Sequence, residues 1–324
     1  MNEKDGLICS YLFDREGKAH ETGWEEIRDW KPDQGWIWIH LDRKSENTNH
    51  WLTDESGLPA LVSEALLAEE TRPRSFTVDE GLIVILRGVN LNPGSDPEDM
   101  ISIRIWIEGN RVITLRHKPM MAIQDIRDNI ASGIKTKEPS DLLVQICARL
   151  IDRMGPVLET LDEQADDLEE QVVEAQSYEL RTKLGALRRQ AIALRRYIAP
   201  QRDVMARLHA ERIPWLDDLH KAQLREVGDR LMRYVEDLDS ARERAAVTQE
   251  ELAGRLSEQM NKTMYILSIV AGIFLPLGLL TGLLGINVGG IPGTENHWAF
   301  TIVCLLLLAM AGVGIFIFRR FKFF

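Results

Sequence analysis

A run of 23 residues without a charged side chain, Thr263 to Gly285, does most to limit what this chain can become. At ~1.5 Å of rise per residue, a helix of that length crosses the hydrocarbon core of a bilayer. The surrounding stretch, Asn261 to Asn287, reads NKTMYILSIVAGIFLPLGLLTGLLGIN. Steps of three and four residues from Asn261 meet Met264, Ser268, Ala271, Leu275, Gly278, Gly282 and Gly285, a face of mostly small or polar residues. The opposite side carries Tyr265, Ile266, Ile269, Ile273, Leu277, Leu280 and Leu284. Hydrophobicity alone does not bring helices together in lipid, so bulk is expected toward the tails and the small face toward something else. Two readings stay open. The face packs on a neighbouring helix, for which Gly278 and Gly282 form a GxxxG, or it lines a passage. Pro276 should kink the helix and free the carbonyl of Gly272. Gly285-Ile286-Asn287 should end it.

A second uncharged run, Ala299 to Phe318, follows after a loop whose only titratable groups are Glu295 and His297. Trp298 falls where an aromatic residue meets the membrane interface. Arg255 and Lys262 precede the first run, and Arg319, Arg320 and Lys322 follow the second. That placement of bases puts both termini in the cytosol and the loop outside. The opening MNEKDGLICSYLFD lacks the basic flank and apolar core of a secretory signal, so the soluble part is expected to stay cytosolic.

The tripeptide Gly285-Ile286-Asn287 resembles the signature of the CorA-type divalent-cation transporters, which close their first membrane helix with Gly-Met-Asn. The layout is similar along the whole chain: a large soluble part, a very long helix and two C-terminal spans. Ile286 stands in the Met place, and Val288-Gly289-Gly290-Ile291-Pro292-Gly293 is unlike the Met-Pro-Glu loop of the magnesium members. Both departures are similar to the zinc-transporter branch, the ZntB proteins.

The rest of the chain fits an α+β arrangement. Residues 1–140 read as a mixed α/β domain. Strands are expected at Leu7–Phe13, Gly35–Leu41, Gly81–Asn90 and the alternating Ile101, Ile103, Ile105, Ile107. Gly109-Asn110 should turn that last strand into Arg111–Arg116. Trp36-Ile37-Trp38-Ile39 is apolar on both faces and should be a buried strand. Leu58–Glu69 and Met121–Ile130 read as helices and Asn92–Asp99 as a loop. His20, His40, His50 and His117 lack metal-site spacing. Cys9, Cys147 and Cys304 lack a CxxC, which argues for packed thiols over a disulfide or thiolate zinc site. No P-loop, GxGxxG or GxSxG stands in context, so no enzyme and no ATP-driven step is expected.

Residues 141–213 read as a helical hairpin of polarised charge. Nine acids and no bases lie between Glu159 and Glu179, and seven bases and no acids between Arg181 and Arg202. The expected arrangement zips the acidic arm against the basic one, with Pro200 kinking the second arm. Unpaired acids could also gather divalent cations. Pro214 breaks the chain, Trp215-Leu216-Asp217-Asp218 looks like a helix start, and from there helix signal runs without a Pro to Pro276. Leu224, Leu231, Leu238, Ala245 and Leu252 fall seven apart, an apolar seam. Val227, Tyr234, Ala241, Thr248 and Arg255 form a second seam that turns polar toward the membrane. This suits a stalk, residues 214–262, packed on its hairpin on one side.

The resemblance implies a homopentameric, funnel-shaped transporter in the cell inner membrane, moving Zn²⁺ as substrate with no resident cofactor. The first spans (263–286) would surround one pore and the second spans (299–318) would face lipid. The loop would be 287–298 and a basic cytosolic tail 319–324. Gly285, Ile286 and Asn287 would form the outer mouth, where Asn287 amide oxygens hold a hydrated ion through its water. Asn261, Met264, Ser268, Ala271, Leu275, Gly278 and Gly282 would line the shaft. Inward transport is expected, assisted by a proton gradient, with His297 a candidate for sensing external pH. The expected partners are further copies of the chain, lipid and divalent cations. No nucleic acid is expected among them. The alternatives are a Mg²⁺ or Co²⁺ channel of the same fold, zinc efflux, or a membrane-tethered structural or sensor protein.

Overall fold

Branched and aromatic runs near the N-terminus build one seven-stranded sheet. Its strands are β1 (Leu7–Phe13), β2 (Ala19–Glu21), β3 (Trp36–Asp42), β4 (Arg74–Val78), β5 (Gly81–Gly88), β6 (Ile101–Glu108) and β7 (Arg111–Arg116). They lie in the order β2-β1-β3-β7-β6-β5-β4. β3 and β7 pair in parallel, from Ile37 opposite Arg111 to Asp42 opposite Arg116, and every other pair is antiparallel. Gly109 takes φ +53°, which side chains resist, and the β6–β7 turn closes in two residues. This computed structural model describes residues 5–69, 71–174, 178–211, 213–286, 291, 293 and 296–320.

Helices cover both faces of the sheet. On one side lie α1 (Trp24–Asp29), α2 (Glu46–His50), which runs on into a π turn at Trp51–Glu55, and α3 (Ala60–Leu67). Ile27, Trp51, Leu52, Val62 and Leu66 join Ile37, Ile39, Ile83, Ile85, Trp106 and Ile113 in one core. On the other side are α4 (Met121–Ala131), α5 (Pro139–Asp152) and α7 (Tyr178–Ala210). Two-sided cover explains why six of the seven β3 residues are buried, as their composition predicts. His40 is fully buried, its Nδ1 2.7 Å from the Thr114 hydroxyl. Burial first, then Arg116 and Arg127, push its pKa down to about 3, so the ring is neutral. Burial pushes the thiols of Cys9 and Cys147 up to about 12, which leaves them packed and unreactive.

α6 (Gly155–Glu174) and α7 form the predicted hairpin, but not the predicted zipper. The arms meet through buried Leu161, Ala165 and Leu168 on α6 and Leu184, Leu187 and Ala191 on α7. Among the described residues no ion pair joins α6 to α7. The charges reach past each other to α8 (Asp218–Gly285). Arg244 of α8 binds Asp162 and Glu169, each at 2.8 Å, and Asp166 as well. Arg195 of α7 binds Asp239 of α8 at 2.7 Å. The physical reason is periodic: the apolar stripe takes the inter-arm seam, which leaves charged side chains on the flanks.

α8 runs for 68 residues, as the Pro-free stretch predicts, and passes through Pro276; α7 likewise continues through Pro200. Leu224, Leu231, Leu238, Ala245 and Leu252 are all buried, so the seam read from heptad spacing is real. Val227, Ala241 and Thr248 of the second seam are buried too, while Tyr234 and Arg255 stay partly exposed. The chain divides into two units, Met1–Gln249 and Glu250–Phe324, and α8 contributes to both.

Candidate functional site: the uncovered face of the first membrane helix

Within the second unit, the C-terminal part of α8 and α9 (Ala299–Arg320) are both long and apolar enough to cross a membrane. The described part of α8 ends at Gly285, with Ile286 bending away, where the tripeptide predicts its stop. Asn287 and Glu295 lie outside the described residues. His297 and Trp298 are exposed, and the Trp298 backbone N–H donates to Asn296 Oδ1 at 3.0 Å.

The two helices touch through a defined strip. A Cβ on Gly272 would stand 3.1 Å from Phe318, and one on Gly314 would stand 3.6 Å from Ile273. Alongside these contacts an open groove of about 360 Å³ is lined by Pro276 and Leu277 on α8 and Leu306, Met310 and Val313 on α9. The half-buried residues of α8 here are Tyr265, Ile269, Ala271, Ile273, Leu277 and Leu280. This amends the expectation that bulk simply faces lipid. Part of the bulky side packs on the chain's own second span, and Ile266 and Leu284 remain exposed. Neither Gly272 nor Gly314 belongs to the small face read from spacing, although each is a small residue in a span, the usual mark of close helix approach.

The small face is left bare. Asn261, Met264, Ser268, Leu275, Gly278, Gly282, Gly285 and Ile286 are exposed, Leu275 at 71%, and Ala271 sits at the edge of the contact strip. A Cβ on Gly278, Gly282 or Gly285 would meet nothing within 4 Å. The GxxxG of Gly278 and Gly282 is therefore not the contact between the two spans of one chain. The Ser268 hydroxyl donates to Met264 O at 2.9 Å, and the Thr281 hydroxyl to Leu277 O at 3.0 Å. These bonds use the hydroxyl protons and leave oxygen lone pairs free to accept. The spans contain Cys304 but no His, Asp or Glu. Among the described residues no cluster of three or more His, Cys, Asp or Glu could hold a metal. The face can thus offer hydroxyl and amide oxygen and backbone to a hydrated ion, and no chelating set.

A family model described as "CorA-like Mg2+ transporter protein" matches residues 33–320. The chain belongs to this CorA-like family. It is 39% identical over 329 aligned residues to the divalent cation transporter CmaX of Pseudomonas aeruginosa, covering 99% of this chain and 97% of that one. It is 36% identical to the zinc transport protein ZntB of Yersinia enterocolitica, covering 84% of this chain and 83% of the relative. The solved structure of full-length CmaX matches with a TM-score of 0.86 at 37% identity, over 98% of each chain. The CorA-like family is one of transporters by its own description, which agrees with the absence of enzyme motifs in the sequence. For a CorA-like chain, the soluble α/β unit, the long α8 and two apolar C-terminal helices are the shared architecture.

Proposed function

We propose that the chain carries divalent cations, Zn²⁺ foremost, through a pore built by several copies of its first membrane helix. The observation that carries this reading is the bare small face of α8: α9 covers a different strip and leaves Ser268, Gly278 and Gly282 exposed, with open space beside both glycines. A plain anchor needs no such face. A single helix encloses no passage, so copies must assemble, and the family resemblance supports a homopentamer in the inner membrane with cytosolic termini. In that assembly Gly285, Ile286 and Asn287 form the mouth, and Asn261, Met264, Ser268, Ala271, Leu275, Gly278 and Gly282 line the shaft. The zinc preference is supported by the 36% identity to ZntB. The family description favours Mg²⁺ as the second reading.

With no chelating ligand in the spans, Zn²⁺ passes at least partly hydrated, and Cd²⁺, Ni²⁺ and Co²⁺ are poorly rejected. Direction follows from the field. Inward movement gains ~2.3 kcal/mol per charge per 100 mV, about 4.6 kcal/mol for a divalent ion, and the spans hold no carboxylate to couple export. In this reading a proton gradient assists uptake, with His297 of the loop the candidate for sensing external pH. The test is cation flux into oriented proteoliposomes for wild type and Asn287→Ala, with size-exclusion profiles alongside. Expected are inward Zn²⁺ flux comparable with Cd²⁺, Ni²⁺ and Co²⁺, and loss of flux in the variant with the oligomer intact. Wild-type flux in Asn287→Ala removes the mouth assignment, and flux of Mg²⁺ alone moves the chain to the second reading.

A further inference from the structure

In the N-terminal unit, far along α8 from its apolar part, the imidazole of His220 stands between two carboxylates. Nδ1 lies 2.6 Å from Asp217 Oδ1 and Nε2 lies 3.0 Å from Asp141 Oδ1. Only 7% of the side chain is exposed. Asp217 caps α8, its Oδ1 also accepting the His220 backbone N–H at 2.8 Å. Asp141 lies in the first turn of α5, and its other oxygen accepts the backbone N–H groups of Lys137 at 2.9 Å and Glu138 at 3.1 Å. Each carboxylate is therefore fixed to its own helix start, and the ring joins the two.

The proton count decides what this junction does. A neutral imidazole has one N–H and can donate to one carboxylate, leaving a lone pair facing the other anion. Only the protonated ring donates to both, and such charge-assisted bonds are the stronger kind. α7 also reaches this junction, where His209 Nδ1 lies 3.2 Å from Lys221 O. Burial is the largest influence on His220 and lowers its pKa. The hydrogen bonds to Asp141 and then Asp217, with the charges of both, outweigh burial and leave the pKa raised. Asp217 is in turn lowered, chiefly by the His220 backbone N–H.

We propose that His220, Asp217 and Asp141 form a proton-operated latch that holds the start of α8 on the start of α5. A raised folded-state pKa contributes stability that is fully present below the unfolded-state value and is lost as pH rises through the folded value. Acid closes the latch and alkali releases it. His220 is a positioning residue for α8; the consequence for a pore rests on the transport reading, while the latch rests on these contacts alone.

Hydrogen exchange of the full chain in lipid nanodiscs, corrected for the intrinsic pH dependence of exchange, tests it. In wild type, protection of residues 137–142 and 217–222 should fall about tenfold as pH rises past the ordinary imidazole range, the size of one lost charge-assisted bond. Asp217→Asn keeps a capping acceptor but removes a charge, so the step should move to lower pH. His220→Gln should erase the step while leaving exchange in the sheet strands as in wild type. A step that persists unchanged in His220→Gln, or that Asp217→Asn does not move, overturns the latch. If His220→Gln does not fold, the Asp217→Asn shift decides. Flux is not read in this experiment, so its outcome is independent of whether the chain carries Zn²⁺.

Discussion

The two units meet the same demand, cover for apolar surface, in opposite ways. In the N-terminal unit Trp38, Ile83, Ile85, Ile103, Ile105 and Trp106 are at most 1% exposed, and the sheet has helices on both faces. In the C-terminal unit Leu275, Trp298 and Phe300 are 70% exposed or more. In water the chain must bury its own apolar area, at roughly 25 cal/mol per Å². In a bilayer the lipid does the covering, and an exposed Leu or Phe signals nothing. The informative surface there is the reverse of the one in water: small residues with nothing beside them.

The largest test of this contrast is a truncation in the closed interior. Trp106→Ala should cost about 3–5 kcal/mol, seen as a drop in the thermal midpoint of the full chain. A loss below about 1 kcal/mol would show that the sheet core is not the closed body described. Next comes a bulky side chain on the open face. Gly282→Leu has free space around its Cβ, so the chain should fold and keep its thermal midpoint, while cation flux falls at least about tenfold. Unfolding without any oligomer would mean that the face is internal packing after all. The smallest effect lies on the flank of the hairpin. Arg244→Met should cost about 1 kcal/mol at low salt and less at high salt, since its three carboxylate partners are largely exposed. A salt-independent loss would point to packing of the Arg244 stem instead.

Long periodic elements were legible in the sequence. β3 is apolar on both sides, the Leu224-to-Leu252 repeat marks the buried side of α8, and two uncharged runs mark the spans. The β6–β7 turn was legible because only a few dipeptides make a two-residue hairpin. β2 and β4 were not: one is three residues long, both are edge strands, and neither carries an apolar run. The hairpin's charges were legible in sign but not in partner. Sequence places acids on one arm and bases on the other, yet which flank each occupies depends on where the apolar stripe turns, and α8 lies on that flank. For the candidate site, the small face was readable from spacing of three and four. The strip that α9 takes was not, because Gly272 and Ile273 differ from their neighbours only in what faces them. The His220 junction joins residues 79 apart in sequence, and no local pattern links Asp141 to it.

The parallel β3–β7 pair has a consequence for the order in which the chain can fold. β2, β1 and β3 form one antiparallel set within the first 42 residues, and β4 through β7 form another between residues 74 and 116. A single parallel seam joins them. As the chain emerges N-terminus first, β3, with its Trp-Ile-Trp-Ile run, sits at an open edge until β7 has been made. β7 is the last strand in sequence, so the nascent chain carries its most adhesive strand edge through most of the synthesis of the sheet. The late-arriving Arg111–Arg116 segment is what removes that hazard.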